Sequence, residues 1–386
     1  MLSSKKDLRR SPAMLAVLIA IAALTLGLAA CGGGGDSING GDTESEEVKL
    51  EGKASGDLTI SNWPLYIDKQ TVPDFEKETG VSVKYIEDVN ANEEFFAKMD
   101  PLLKQGESGG RSLFVVTDWM ANKMHELGYL QNFDKSALPN FEKNLVANLK
   151  EPAYDPKREF SAPWQSGMTG IIVRKDLAPD VKSICDLFDP QYKGKVEMLN
   201  ELRDTVPLVM KCLGIDPTNA DEEDWLKAID KIESAANSGQ IRRFTGNDYG
   251  GDLTSGNAVA VIGWSGDAVQ LQADNPDIEW RMPTEGCILW SDNMVIPVGA
   301  PNPTAAEAFM NYVYDPENQA QIEAYVNYVS PVENVKPILL KEEPEIAKNQ
   351  LIFPDQSFTK NCTIQPSPTG EEEQNLNRAF NAVLNG

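Results

Sequence analysis

Histidine is almost missing from this chain: His125 is the only one in 386 residues. It stands in a polar helical pattern, as a surface residue would. A lone histidine offers no pair for a metal site, and no Cys-x-x-Cys occurs to replace it with sulfur. Nor does it leave a nucleophile–histidine pair for covalent catalysis. Positive charge is also scarce, with 35 Lys and Arg against 59 Asp and Glu and a net charge of -24. Such a surface is repelled by phosphate backbones, which argues against nucleic-acid binding. A small cationic partner is permitted by that charge, although solubility of an exported protein would also account for it. No internal repeat is present. What remains is an ordinary globular composition, 41% hydrophobic and 24% charged, on a chain long enough for two or three domains and a large core.

The first stretch is a targeting segment. Lys5, Lys6, Arg9 and Arg10 form a basic start, and Met14 to Ala30 is an apolar run short for a spanning helix. Leu28-Ala29-Ala30-Cys31 resembles the bacterial lipobox, after which residues 1–30 are removed as a signal peptide and the Cys31 thiol carries the lipid. Gly32 to Gly56 is Gly-rich and acidic, so 31–56 reads as a lipidated flexible tether. The expected location is the outer face of the cytoplasmic membrane, on the cell surface or periplasmic side. Four cysteines remain, Cys185, Cys212, Cys287 and Cys362. In an exported chain an even number fits two disulfides, and three pairings are open.

From Leu58 onward strands and helices alternate, the α/β signature. Strands are expected from Leu58 into a turn by Pro64, and at Val81 to Ile86, Ser112 to Thr117, Phe160 to Val173, Lys195 to Leu199 and Ala258 to Trp264. Helices are expected at Thr71 to Gly80, Asn92 to Gln105, Asp118 to Leu127, Val181 to Phe188, Asn200 to Leu213, Asp221 to Ser238, Asp267 to Asp274, Pro303 to Tyr314, Pro316 to Tyr325 and Glu372 to Leu384. Several aromatics and acids then fall at the carboxyl ends of strands, the edge where open α/β sheets bind ligands. They are Trp63 and Tyr66, Thr117 and Trp119, Glu201 and Asp204, and Trp264 and Asp267. In Gly286-Cys-Ile-Leu-Trp290-Ser-Asp292, strand periodicity puts Trp290 and Asp292 on one face, an aromatic beside an anion and so a place for an organic cation. Taken singly each has a plainer reading: Trp63 or Trp290 as core, Glu201 and Asp204 as first-turn acids, Asp267 as a helix cap.

The ordered set resembles the polyamine-binding proteins that serve bacterial spermidine/putrescine ABC transporters. The resemblance is carried by Asn62-Trp63-Pro-Leu-Tyr66, Lys77-Glu-Thr-Gly-Val81, Lys123-Met124 with Gly128, Asp189-Pro-Gln-Tyr-Lys-Gly-Lys195, Ile262-Gly-Trp-Ser-Gly-Asp267, Trp290-Ser-Asp292 and Asn327-Tyr328. It runs through most of 58–328. It implies an α/β, two-lobed periplasmic-binding-protein-like (type II) fold with the ligand between lobes. One lobe would be 57–166 with 290–336, the other 167–289 with 337–386. On that assignment Cys185–Cys212 and Cys287–Cys362 are the favoured disulfides, each within one lobe.

The same resemblance assigns the site. Trp63, Tyr66, Trp264 and Trp290 would wall the methylene chain; Glu201, Asp204, Asp267 and Asp292 would accept from the ammonium groups; Thr117, Trp119 and Tyr328 complete the set. Departures are Pro64 and Leu65 in place of polar residues, Trp119 where tyrosine is common, and an unusual Asn-Glu-Leu-Arg context at 200–203. The expectation is a monomeric, cofactor-free binding protein whose partners are a polyamine, the membrane permease subunits and its own lipid anchor. Alternatives are a sugar or another organic cation as ligand, or a sensor role. A glycosidase is disfavoured because Glu201 and Asp204, three apart on one helical turn, sit side by side instead of across a scissile bond.

Overall fold

Apolar runs bounded by turns become strands, and amphipathic stretches between them become helices. In the computed structural model, which describes residues 54–368 and 370–386, these are β1 (Asp57–Asn62), α1 (Thr71–Thr79), β2 (Ser82–Glu87), α2 (Asn92–Leu103), β3 (Leu113–Thr117), α3 (Asp118–Glu126), α4 (Pro139–Asn144) and β4 (Ala162–Arg174). There follow β5 (Val196–Leu199), α5 (Leu202–Cys212), α6 (Glu222–Asn237), β6 (Ile241–Thr245), α7 (Gly250–Ser255), β7 (Ala260–Trp264), α8 (Ser265–Asp274), β8 (Ile278–Arg281) and β9 (Ile288–Val295). The chain ends with α9 (Pro303–Val313), α10 (Pro316–Val326), α11 (Val335–Glu342), α12 (Pro344–Lys348), α13 (Gln356–Thr359), β10 (Thr363–Ile364) and α14 (Gly370–Asn385). The signal segment, Cys31 and most of the tether lie outside the described residues. Among the described residues no helix is long and apolar enough to cross a membrane.

The sheet runs β2-β1-β3-β9-β4-β7-β5-β6, with β10 added to β9 and β8 to β4. Its two ends are built alike. β1 is parallel to β2 and β3, and β5 is parallel to β6 and β7. Between them β9 is antiparallel to β3 and to β4, and β4 is antiparallel to β7. Two parallel βα halves are thus joined through one antiparallel pair. Each half has a strand buried on both faces throughout: β3, Leu-Phe-Val-Val-Thr, which joins the first half to β9, and β5, central in the second.

Thr169 marks the hand-over. Up to that residue β4 pairs with β9, ending at Thr169 opposite Ile288; from it onward β4 pairs with β7, beginning at Thr169 opposite Trp264. The lobe limits expected near 166 and 290 fall along this shared pair, whose strands belong to both halves. The limit expected at 336 falls inside α11, a continuous helix that packs along α10. The C-terminal α14 packs on α6 in the second half.

The helices follow their patterns. In α6 the Asp221 side chain accepts from the Asp224 amide at 3.0 Å, capping the first turn. Trp225, Ile229 and Ile232 then point inward and are nearly fully buried. Each contributes roughly 1.5–3 kcal/mol by leaving water. The helix expected from Val181 is shorter, a 3₁₀ segment over Ile184–Phe188. Strand β6 was not expected, because Ile-Arg-Arg-Phe-Thr reads as charged. Its two arginines are satisfied laterally: Arg242 Nη1 lies 2.7 Å and Arg243 Nε 3.1 Å from the fully buried Glu197 of β5. His125 is exposed, and its ring stacks on Phe160 at 3.7 Å.

Candidate functional site

The carboxyl ends of β1, β3, β5 and β7 converge on the β4–β9 pair, and a cavity opens there. Its walls include Trp63, Tyr66, Thr117, Glu201, Asp204, Trp264, Asp267, Trp290, Asp292 and Tyr328. Every residue expected at the site is therefore on this wall except Trp119. That tryptophan is buried, but its ring is covered by the Arg203 guanidinium at 3.6 Å and it does not line the cavity. It is the second residue of α3, directly after Thr117, and there its buried ring packs under Arg203 beside the cavity.

The aromatic walls are in mutual contact. Trp63 meets Trp264 edge-on at 5.9 Å between ring centroids, Trp264 meets Trp290 at 6.4 Å, Trp290 meets Tyr328 at 5.6 Å, and Tyr328 meets Tyr66 at 5.1 Å. Edge-to-face packing of this kind leaves ring faces available to a ligand. Trp290 reaches its position because Gly167, opposite it in the β4–β9 ladder, has no side chain; a Cβ there would overlap the indole. The indole Nε1 donates to Thr169 Oγ1 at 3.0 Å.

The four acids are held differently. Asp292 accepts from the Tyr66 hydroxyl at 3.0 Å and from the Thr117 hydroxyl at 2.7 Å. Asp204 accepts from the Thr169 hydroxyl. Glu201 accepts from the Asn92 backbone amide at 2.7 Å and from its Nδ2 at 3.3 Å, both on the same oxygen. Asp267 is the most occupied: Tyr249 donates at 2.6 Å, Tyr328 at 2.5 Å and Asn247 at 3.2 Å. Among the described residues none of the four makes an ion pair, and the nearby Arg203 charge only partly opposes the rise of Glu201 and Asp204. Burial accordingly pushes Glu201, Asp204 and Asp292 up to about 7, the charges of neighbouring acids adding to it. Asp267 is also raised by burial, and its three donors oppose the rise.

Pro64, expected as a departure within the site, lines it as well. Three lining residues carried less signal: Asn92, Asn247 and Gln365. Asn92 opens a helix after a strand, a faint positional cue. Gln365 carried none. It arrives from far along the chain because β10 adds to β9 in parallel and the Gln365 amide donates to the Leu289 carbonyl at 2.8 Å. Cys362 is bonded to Cys287 just beside this pairing, and Cys185 is bonded to Cys212. Thr169 and Tyr249 act one step back, holding Asp204 and Asp267.

A ligand cavity between two βα halves that share a crossing strand pair defines a two-lobed binding protein of the periplasmic type II kind. Residues 70–354 match the family described as bacterial extracellular solute-binding protein, and the chain belongs to it. The spermidine/putrescine-binding periplasmic protein of Escherichia coli K12 is 29% identical over 309 residues, 79% of this chain and 85% of that protein. The putrescine/agmatine-binding protein of Pseudomonas aeruginosa is 30% identical over 286 residues, 68% of this chain and 75% of that one. The solved spermidine/putrescine ABC transporter substrate-binding protein of Streptococcus pneumoniae superimposes with a TM-score of 0.69 at 26% identity, covering 85% of this chain and 98% of that one.

Proposed function

We propose that the cavity captures a polyamine, putrescine or spermidine, outside the cytoplasm and presents it to an ABC importer. The observation that carries this reading is the charge of the wall: all four charged lining residues, Glu201, Asp204, Asp267 and Asp292, are acids. Carboxylates buried without a cation are costly. A ligand bearing two or more ammonium groups supplies the missing charge, and its methylene chain fits against Trp63, Trp264, Trp290 and Tyr328. A neutral sugar would leave the acids unneutralised. No histidine or basic group lines the cavity to assist a nucleophile, which favours binding over catalysis.

In this reading Glu201, Asp204 and Asp292 take one ammonium group, and Asp267 takes the other. The lobes are the two βα halves, and ligand closes them by a hinge motion along β4 and β9. The signal peptide would be removed before Cys31, and the lipid on that residue would tether the monomeric body to the outer face of the membrane beside its permease. A calorimetric titration of residues 54–386 with putrescine, spermidine, spermine and maltose tests it. Binding of a diamine or triamine with no response to maltose is expected. No heat and no thermal stabilisation with any polyamine, where linkage requires stabilisation at saturation, would sink it.

A further inference from the structure

Between Glu201 and Asp204, on the same helical turn, lies Arg203. Its side chain is only 2% exposed, yet it does not line the cavity. It reaches from α5 in the second half to the ring of Trp119, on α3 in the first, and its guanidinium stands 3.6 Å from the ring centroid. Around this stack the charges alternate across the same seam. Arg203 Nη2 is 2.7 Å from Glu373 of α14, which also takes Lys123 of α3 at 3.3 Å. Glu93 of α2 takes Lys123 at 3.3 Å and the Asn377 amide of α14 at 3.0 Å, with Arg203 Nη1 at 4.0 Å. Three residues of the first half, Trp119, Glu93 and Lys123, thus engage three of the second, Arg203, Glu373 and Asn377.

We infer that the stack of Arg203 on Trp119, with its ring of Glu93, Lys123, Glu373 and Asn377, is a latch that favours the closed form before ligand arrives and prolongs the ligand's stay afterwards. It rests on the capture reading above, but the closure itself can be measured without any ligand. The contacts can exist only with the halves together, since the seam is bridged by side chains and not by the sheet. A guanidinium on an indole face is among the stronger cation–π arrangements when desolvated. The latch is also reversible by construction. Arg203 Nε and Nη1 find no hydrogen-bond acceptor in the protein, and burial lowers the affinity of the guanidinium for its proton. Opening rehydrates them, which offsets part of the stack's attraction. The position of Arg203 between two cavity acids links the latch to the site: closing it orients the turn that presents Glu201 and Asp204.

Spin labels at Lys77→Cys on α1 and Asp230→Cys on α6, both exposed positions, report the distance between the halves by pulsed electron–electron resonance. The ligand-free parent should show a short-distance population. In Arg203→Gln that population should shrink roughly fivefold or more, the scale of a desolvated cation–π contact, and in the milder Glu373→Gln, which keeps the stack but loses its ion pair, by roughly twofold or more. Saturating putrescine should restore it, with dissociation about tenfold faster than in the parent. Melting curves of both variants establish that they fold. Ligand-free distributions identical in parent and Glu373→Gln, or no short-distance population in the parent, would overturn the latch. Failure of putrescine to bind anything would remove the polyamine reading and leave the ligand-free comparison to decide the latch.

Discussion

Thr117 and Asp292 stand directly opposite each other in the β3–β9 ladder, 175 residues apart in sequence, and the Thr117 hydroxyl donates to Asp292 Oδ1 at 2.7 Å. With Tyr66 on the other oxygen, the carboxylate is fixed in position before any ligand is present. Side-chain entropy is therefore not lost again on binding.

Replacing Asp292 with Asn keeps this geometry nearly intact and removes the charge. Polyamine affinity should fall by roughly 1.5–3 kcal/mol, the scale of a charged hydrogen bond, read by calorimetry. The empty protein should melt at the same temperature or higher, because a buried acid without a cation has been removed. A loss of melting temperature larger than the loss of affinity would mean that Asp292 is structural and not part of the ligand site.

Proton linkage gives a second expectation. Glu201, Asp204 and Asp292 are raised to about 7 in the folded protein, against roughly 4 in an unfolded chain. The native state therefore holds more protons between those values. Its stability contribution from these acids is full below about pH 4 and declines as pH rises through about 7. An ammonium ligand prefers the ionised acids and expels those protons. Calorimetry near pH 6.5 in buffers of different ionisation enthalpy should show net proton release on binding, and affinity should rise from pH 5.5 to 8. Proton uptake would contradict the assignment.

Gly266 offers a test of packing. It sits in the first turn of α8, where alanine would ordinarily be the better helix former by about 1 kcal/mol. A Cβ at this position would overlap the Tyr328 ring, which donates to Asp267. Gly266→Ala should accordingly destabilise by roughly 1–3 kcal/mol as an overpacked site and weaken ligand binding as Tyr328 leaves Asp267. A rise in melting temperature with unchanged affinity would show that the helix preference wins and the ring has room to move.

Much of this site was legible in the sequence because its residues sit at strand ends, where apolar periodicity stops and a polar or aromatic residue stands out. Trp264 and Asp267 flank the end of β7; Trp290 and Asp292 alternate along β9 with period two. Trp119 shows the limit of that reasoning. A strand fixes which face a residue takes, but the first helical turn rotates by about 100° per residue, so whether the second residue of α3 faces the cavity or packs beside it is decided by a single position. Gln365 shows another limit. Its place depends on a two-residue strand, too short for any pattern, pairing with a partner far away. Strand β6 was hidden because its arginines are neutralised by Glu197 and Asp252, partners that only the fold brings near.

The last expectation separates the two disulfides. In the chain-entropy picture, loops closed over separations of 27 and 75 residues each stabilise by roughly 3–4.5 kcal/mol, so on stability alone they differ little. Their positions differ more. Cys185–Cys212 ties the 3₁₀ segment at Ile184–Phe188 to the far end of α5, at the opposite end of that helix from Glu201 and Asp204. Cys287–Cys362 lies beside the β9–β10 pairing that delivers Gln365 to the cavity. The paired substitution Cys287→Ser with Cys362→Ser should weaken ligand binding about tenfold or more as the β10 segment loosens, on the scale of one lost charged hydrogen bond. Both pairs should lower the melting temperature by similar amounts, while Cys185→Ser with Cys212→Ser leaves affinity within about twofold. Calorimetric titration alongside melting curves for both pairs checks this, and equal effects on affinity would mean that the β10 segment holds its place without the covalent link.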